Sequence, residues 1–265
     1  MQPVVRTEVT ENKVGIITLD RPERRNAVNG PLAEQLDAAV KAMADDDGVK
    51  VVVLTGAAPE GGTGGFCSGG DTKRDASDSS GLALGVPPDA LSGDLARHDR
   101  HASMLLHQMP KVSIAMVGGP AVGAGFALAG ACDLRFASDD ALFCAGFSPN
   151  GLSGDYGGSF FWTRIAGTAL TRRLYLLNEK IGAAQALAWG MVHEVRAAAE
   201  LRGYTLEIAS ILARTPREVV ALMKDNLNQA EDEVDRRRWL LANEAENQSA
   251  AGRAMMARMT RRQQA

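Results

Sequence analysis

From Val112 to Cys132 the chain runs for twenty-one residues without a charged side chain. That is nominally long enough to cross a bilayer as a helix. Gly118, Gly119, Pro120, Gly123 and Gly125 sit in the middle of it, however, and glycine and proline at that density break a regular element. The stretch therefore reads as a buried strand over Val112 to Val117, a glycine-rich turn from Gly118 to Gly125, and a small-residue helix through Ala131. The same rhythm occurs earlier. Val14 to Leu19 is a β-branched strand, Asn29-Gly30-Pro31 opens a helix with Leu32, Leu36, Val40 and Met43 on one face, and Asp45 to Gly48 stops it. Val49 to Thr55 is a nearly continuous apolar run, as expected of a strand covered on both sides. A second glycine-rich turn, Gly64 to Gly70, follows that strand and ends at Asp71. Leu134 to Ala137 and Ala141 to Cys144 are short strands, Leu95 to Met109 is a helix, and the last third is helical. Asp75 to Gly93, rich in Ser, Asp, Gly and Pro, reads as a surface segment.

Composition narrows the function classes. Lys plus Arg is 29 against 32 Asp plus Glu, a net charge of −3, which offers no general field for nucleic acid or an anionic membrane. The three cysteines, Cys67, Cys132 and Cys144, form no CxxC pair, so a reducing cytoplasm is expected rather than a disulfide framework. Met1 to Thr10 is polar and carries Arg6 and Glu8 where a secretory signal needs an apolar core. His98 and His101 lie one turn apart without a third ligand, so no metal is assigned. Neither glycine turn is a phosphate motif. The first lacks the GK[ST] ending of a P-loop, and the second has Leu128 where GxGxxG needs its last glycine. What two such turns do offer is backbone: small residues let a ligand come close, and free N–H groups at a helix start are donors for a negative oxygen.

Asp20-Arg21-Pro22-Glu23-Arg24-Arg25-Asn26-Ala27, Phe66-Cys67-Ser68-Gly69-Gly70-Asp71, Gly119-Pro120-Ala121-Val122-Gly123-Ala124-Gly125 and Cys132-Asp133, in this order and spacing, resemble the crotonase, or enoyl-CoA hydratase/isomerase, superfamily. Gly151 to Gly158 and Ala183 to Val192 extend the resemblance over about residues 10 to 195. It implies an α/β fold, a β-β-α spiral core over residues 1–195, with a helical trimerisation region over 196–265. It also implies a homotrimer or a hexamer built as a dimer of trimers. The implied substrate is an acyl-CoA thioester, coenzyme A being part of the substrate and no cofactor tightly bound. By position, the amides of Gly70 and Ala124 would form an oxyanion hole for the thioester carbonyl. Arg24, Arg25, Ala27, Asp71 and Lys73 would lie along the CoA nucleotide.

The resemblance fails where hydration chemistry is concerned. The hydratases of the superfamily carry two glutamates at positions that here read Ala127 and Phe147, and neither residue can hold or move a proton. Asp155 matches a catalytic aspartate of single-acid members, and the run Phe143, Phe147-Ser148, Gly151-Leu152, Asp155, Gly157-Gly158 is similar to the epoxyphenylacetyl-CoA isomerases. A carboxyl group in an apolar pocket would have a raised pKa suited to moving protons between carbons. Read from residues alone, Asp155 is equally a natural cap for a helix beginning near Tyr156. The isomerase reading thus stands beside three others: enoyl-CoA hydratase, dehalogenase-like attack by Asp155 with His101 near the base position, and a non-catalytic acyl-CoA-binding subunit. Cys67, without a basic neighbour in sequence, reads as a buried thiol.

Overall fold

A computed structural model describes residues 3–62, 64–71, 101–150 and 154–231. Lys73, His98, the stretch from Asp75 to Gly93 and the basic tail at Arg258, Arg261 and Arg262 lie outside the described residues. Nine strands occur in chain order among them: β1 (Val5–Val9), β2 (Val14–Leu19), β3 (Val51–Gly56), β4 (Val112–Val117), β5 (Ala121–Val122), β6 (Leu134–Ser138), β7 (Leu142–Cys144), β8 (Ile181–Gly182) and β9 (Glu194–Arg196). Seven α-helices accompany them: α1 (Gly30–Asp45), α2 (Ala102–Gln108), α3 (Ala124–Ala131), α4 (Gly158–Leu177), α5 (Ala183–Ala188), α6 (Ala198–Leu212) and α7 (Arg217–Glu231).

The larger sheet has the order β1-β2-β3-β4-β6-β9. Its inner strands are parallel and apolar on both faces because helices cover both sides. One face packs with α1, whose buried residues are Gly30, Leu32, Leu36, Val40 and Met43, and with α3 and Trp162. The other face, carrying Val14, Ile16, Val51, Val53, Ile114 and Met116, is covered by Leu201 and Ala209 of α6. Asn29 caps α1 by accepting from the Leu32 amide at 3.1 Å, with Pro31 in the first turn.

Four strands escape the periodicity of the sequence: β5 and β8, of two residues each, and β1 and β9. Val5–Val9 pairs antiparallel with β2, although four of its five residues are exposed. An edge strand of this kind has only one face to bury, so its polar residues do not exclude it. Glu194–Arg196 joins β6 in parallel within a region that reads as helical, and three half-buried residues are too few to show a period.

A second, small sheet decides where the site lies. It has the order β5-β7-β8, with β5 and β7 parallel. A parallel bridge between Cys67 and Ala121 adds the segment after β3, and another between Val28 and Gly70 adds one more rung. Each turn of the chain thus lays one strand in the large sheet, one short strand in the small sheet, and then a helix. The C-terminal ends of three neighbouring short strands come out side by side, at Gly70, Ala124 and Phe147.

The helix α7 is tied to this core by a buried cation. Lys224 Nζ donates to the Leu106 carbonyl at 2.9 Å, the Lys111 carbonyl at 3.0 Å and Asp133 Oδ2 at 2.8 Å. Asp133 Oδ2 also accepts from the Ser113 amide at 2.7 Å and its hydroxyl at 2.9 Å. Lys224→Met keeps the stem but strips a donor from three acceptors, and should lower unfolding free energy by about 2 kcal/mol in urea titration. An unchanged urea midpoint would show that this network does not anchor the helix.

Candidate active site

The site is built first from backbone pairing. Val28 donates to the Gly69 carbonyl at 2.7 Å and accepts from the Asp71 amide at 2.8 Å. In a parallel bridge the bracketed residue turns its own N–H to the opposite edge, so the Gly70 amide faces away from Val28. No acceptor in the described residues takes it. On that opposite edge runs β5, where Val122 donates to the Cys67 carbonyl at 2.9 Å and Cys67 to the Pro120 carbonyl at 3.1 Å. Ala124 is the first residue of α3, where an amide has no intrahelical acceptor, and it too finds no partner among the described residues.

The two turns touch. A Cβ on Gly123 would stand 3.4 Å from the Gly69 Cα, and one on Gly69 would stand 3.1 Å from the Val122 carbonyl oxygen. Both glycines have positive φ, +96° at Gly69 and +54° at Gly123, conformations that L side chains rarely adopt. The residue that follows each is the one with the unpaired amide. A Cβ on Gly70 itself would meet nothing within 4 Å among the described residues, and Gly70 is exposed. Both amides are therefore unused donors on turns in contact.

The candidate nucleotide-side residues assemble around the same turn. Ser68 donates to the Arg25 carbonyl at 3.1 Å, and Asp71 is held by Arg21 at 3.0 Å and Arg24 at 2.8 Å. Arg21 also donates to the Ala27 carbonyl at 2.5 Å. Asp71 and the buried Ala27 thus fix the loop against the turn. The Arg24 guanidinium is committed to a carboxylate rather than spread in solvent, while Arg25 is exposed in the left-handed conformation, φ 51°. Arg21 is the member of this group that sequence reasoning passed over. Its signal is only the spacing to Asp71 in space, which a linear reading does not carry.

At the third strand end the pocket is apolar. Phe147 is buried and stacks on Tyr175 with ring centroids 5.8 Å apart. Ala127 is fully buried on α3, and a Cβ on Gly158 would stand 2.8 Å from its methyl group. Asp155 stands just ahead of Gly158. Gly157, not Asp155, occupies the N-cap of α4, and no side chain caps that end. The helix-cap alternative is therefore not realised; α4 starts two residues later than the sequence suggests, because Tyr156 and Gly157 are both left-handed.

Asp155 remains accessible as a residue, yet its carboxyl accepts no hydrogen bond from the described residues, and burial pushes its pKa up from 3.8 to about 6. Asp155 is thus an exposed residue whose carboxyl is nonetheless partly desolvated by the protein behind it. Its charge is felt by Cys67, Tyr156 and Tyr175, which burial above all pushes upward. Cys67 is raised to about 12, so this thiol stays protonated and is no nucleophile. His101 lies nearby: its Nδ1 is 3.5 Å from Asp37 Oδ2, and its ring is 6.0 Å from that of Tyr156. No cluster of three or more metal-ligating side chains occurs among the described residues. No helix among them is long and apolar enough to cross a membrane.

The fold is an α/β spiral whose short strands leave two backbone donors over on turns in contact. The family model for enoyl-CoA hydratase/isomerase matches residues 9–261. The chain is 35% identical over 223 residues to a 1,2-epoxyphenylacetyl-CoA isomerase of Escherichia coli, covering 83% of this chain and 80% of that one. It is 30% identical over 228 residues to a 4-chlorobenzoyl coenzyme A dehalogenase of an Arthrobacter species, covering 83% and 76%. A crystal structure of a probable enoyl-CoA hydratase/isomerase from Mycobacterium abscessus superposes with a TM-score of 0.79 at 27% identity, over 94% of this chain and 90% of that one. The chain belongs to the enoyl-CoA hydratase/isomerase family, whose members act on acyl-CoA thioesters.

The raised acid has a thermodynamic signature. Its folded pKa lies above the ordinary 3.8, so the folded state keeps a proton that the unfolded chain has lost between about pH 4 and 6. Stability falls as pH rises through that window, and the deficit persists above it. Asp155→Asn should therefore raise the thermal midpoint at pH 8, and the gain should vanish near pH 3.5. A variant with no advantage at pH 8 would show that the carboxyl is fully hydrated.

Proposed function

We propose that this protein is an acyl-CoA isomerase in which the Gly70 and Ala124 amides stabilise a thioester enolate and Asp155 moves the proton. What carries the reading is the single acid Asp155, a carboxyl that burial pushes up to about 6, on the turn that leads into α4 against the apolar Ala127. Each fixed donor aimed at the developing oxyanion is worth about 2.7 to 4 kcal/mol of barrier, which brings the α-proton of a thioester within reach of a carboxylate. At neutral pH Asp155 is mostly ionised and takes that proton as a base. With the proton it becomes an acid near enough to its own pKa to return it at a neighbouring carbon. The result is a shifted double bond or an opened strained ring, and the carboxylate is regenerated.

Hydration is disfavoured by the same walls. It needs a water held and deprotonated at one carbon while a proton reaches its neighbour, and Ala127 and Phe147 offer no group for the second task. Arg25 and Lys73 are proposed to meet the CoA phosphates, with Arg24, Asp71 and Ala27 shaping the loop that presents them. A homotrimer or hexamer in the cytoplasm, with residues 196–265 at the subunit contact, fits this assignment.

The His101–Asp37 contact favours one second reading, in which Asp155 attacks the halogen-bearing ring carbon of an aryl-CoA, halide leaves as the aspartyl ester forms, and His101 activates the water that hydrolyses that ester. A single turnover in 18O-water separates the two, since hydrolysis of an aspartyl ester leaves label in the Asp155 carboxylate and proton shuttling leaves none.

Asp155→Asn should slow deuterium exchange at the α-carbon of 3-enoyl-CoA thioesters by at least about 100-fold, read by proton NMR, with thioester affinity in calorimetry nearly intact. Wild-type crotonyl-CoA hydration, followed by absorbance, should be absent. Full exchange in the variant would remove Asp155 from the mechanism; exchange absent from the wild type as well would favour a binding subunit.

A further inference from the structure

The assignment of Asp155 leaves one buried polar group beside it unused. The Tyr175 hydroxyl has no hydrogen-bond partner among the described residues, although it is shielded from solvent. Buried hydroxyls in folded proteins are almost always paired, so an orphan needs a reason. Its surroundings supply one. Tyr175 Cε1 lies 3.6 Å from where a Cβ on Gly154 would stand, and its hydroxyl lies 2.5 Å from where a Cβ on Gly158 would stand. Two glycines flanking Asp155 thus make room for this phenol behind the turn that bears the acid. On its other side the ring is held by stacking on Phe147, the planes 24° apart. The carboxyl of Asp155 in turn accepts no hydrogen bond from the described residues.

We propose that Tyr175 is a positioning residue for Asp155, its phenol donating a hydrogen bond to the carboxylate when the acid ionises and holding it toward the carbon beside the thioester. This rests on the reading of Asp155 as the proton-moving group. The other titratable groups about the acid are Cys67 on the first glycine turn and Tyr156 next to it, with Asp37 of α1 and His101 at the head of α2 beyond Tyr156. The thiol is a weak donor, and Asp37 is an acceptor already used by the Ala102 amide at 2.7 Å. Tyr175 combines a strong neutral donor, burial and a fixed ring. Glycine at position 158 then has a second purpose, because any side chain there would drive the hydroxyl out.

A donor to the charged form holds a carboxyl pKa down. The test is a carbon NMR titration of the protein labelled with 13C-carboxyl aspartate, with the Asp155 signal assigned from Asp155→Asn. The wild-type midpoint should fall below about 6, and Tyr175→Phe, which keeps the ring and its stacking, should raise it by about one pH unit. Site-specific 3-fluorotyrosine at 175, a stronger donor of nearly the same shape, should lower it. Equal midpoints in wild type and Tyr175→Phe overturn the proposal, even if that variant gains thermal stability, as does a fluorotyrosine shift in the opposite direction. Failure of the Asp155 reading registers separately, as α-carbon exchange that survives Asp155→Asn while the titration still moves with residue 175.

Discussion

The arrangement of this protein depends on two backbone amides that parallel pairing leaves over. Short strands of the small sheet lie next to one another, and Val28 consumes the groups on either side of Gly70 but not its N–H. The helix that follows β5 starts at Ala124, and a helix start has no internal acceptor for its first amides. Neither donor owes its freedom to a special side chain. Both owe it to the points at which regular structure begins and ends, and the contact between Gly69 and Gly123 brings those points together.

A site made of main chain can be surrounded by almost any residues, and here they are apolar. Phe147, Ala127, Phe126 and the ring of Tyr175 pack together behind the turn that bears Asp155. That choice has a physical consequence for the acid that remains. With no ion pair or hydrogen bond to its carboxyl among the described residues, Asp155 is pushed up in pKa by burial. The same burial costs stability at neutral pH. The nucleotide-side loop shows the opposite solution: Asp71 is compensated twice over, by Arg21 and Arg24, and serves as a rivet.

The strands and helices that bury a face were legible in the chain. Val14–Leu19 and Val112–Val117 have the bounds that their β-branched runs suggest, and α1 buries the residues spaced for it. Val5–Val9 and Glu194–Arg196 were not, because an edge strand and a three-residue strand impose little pattern. At the site, the ordered glycine turns pointed to Gly70 and Ala124 and the absent glutamates were visible as Ala127 and Phe147. The partners Arg21, Asp37 and Tyr175 were invisible, since each meets its counterpart only after folding: Arg21 and Asp71 are fifty residues apart in sequence and 3.0 Å apart in space.

Sequence by itself determined the family, the two glycine turns and the loss of the hydratase acids, because these are matters of which residues stand at which spacing. Tertiary structure decided the rest. Whether two amides are free and adjacent depends on which carbonyls neighbouring strands have taken, and whether an aspartate is a helix cap or a desolvated acid depends on what packs behind it. Hydrogen bonds and dielectric surroundings are properties of contacts, and contacts between distant residues exist only in the folded chain.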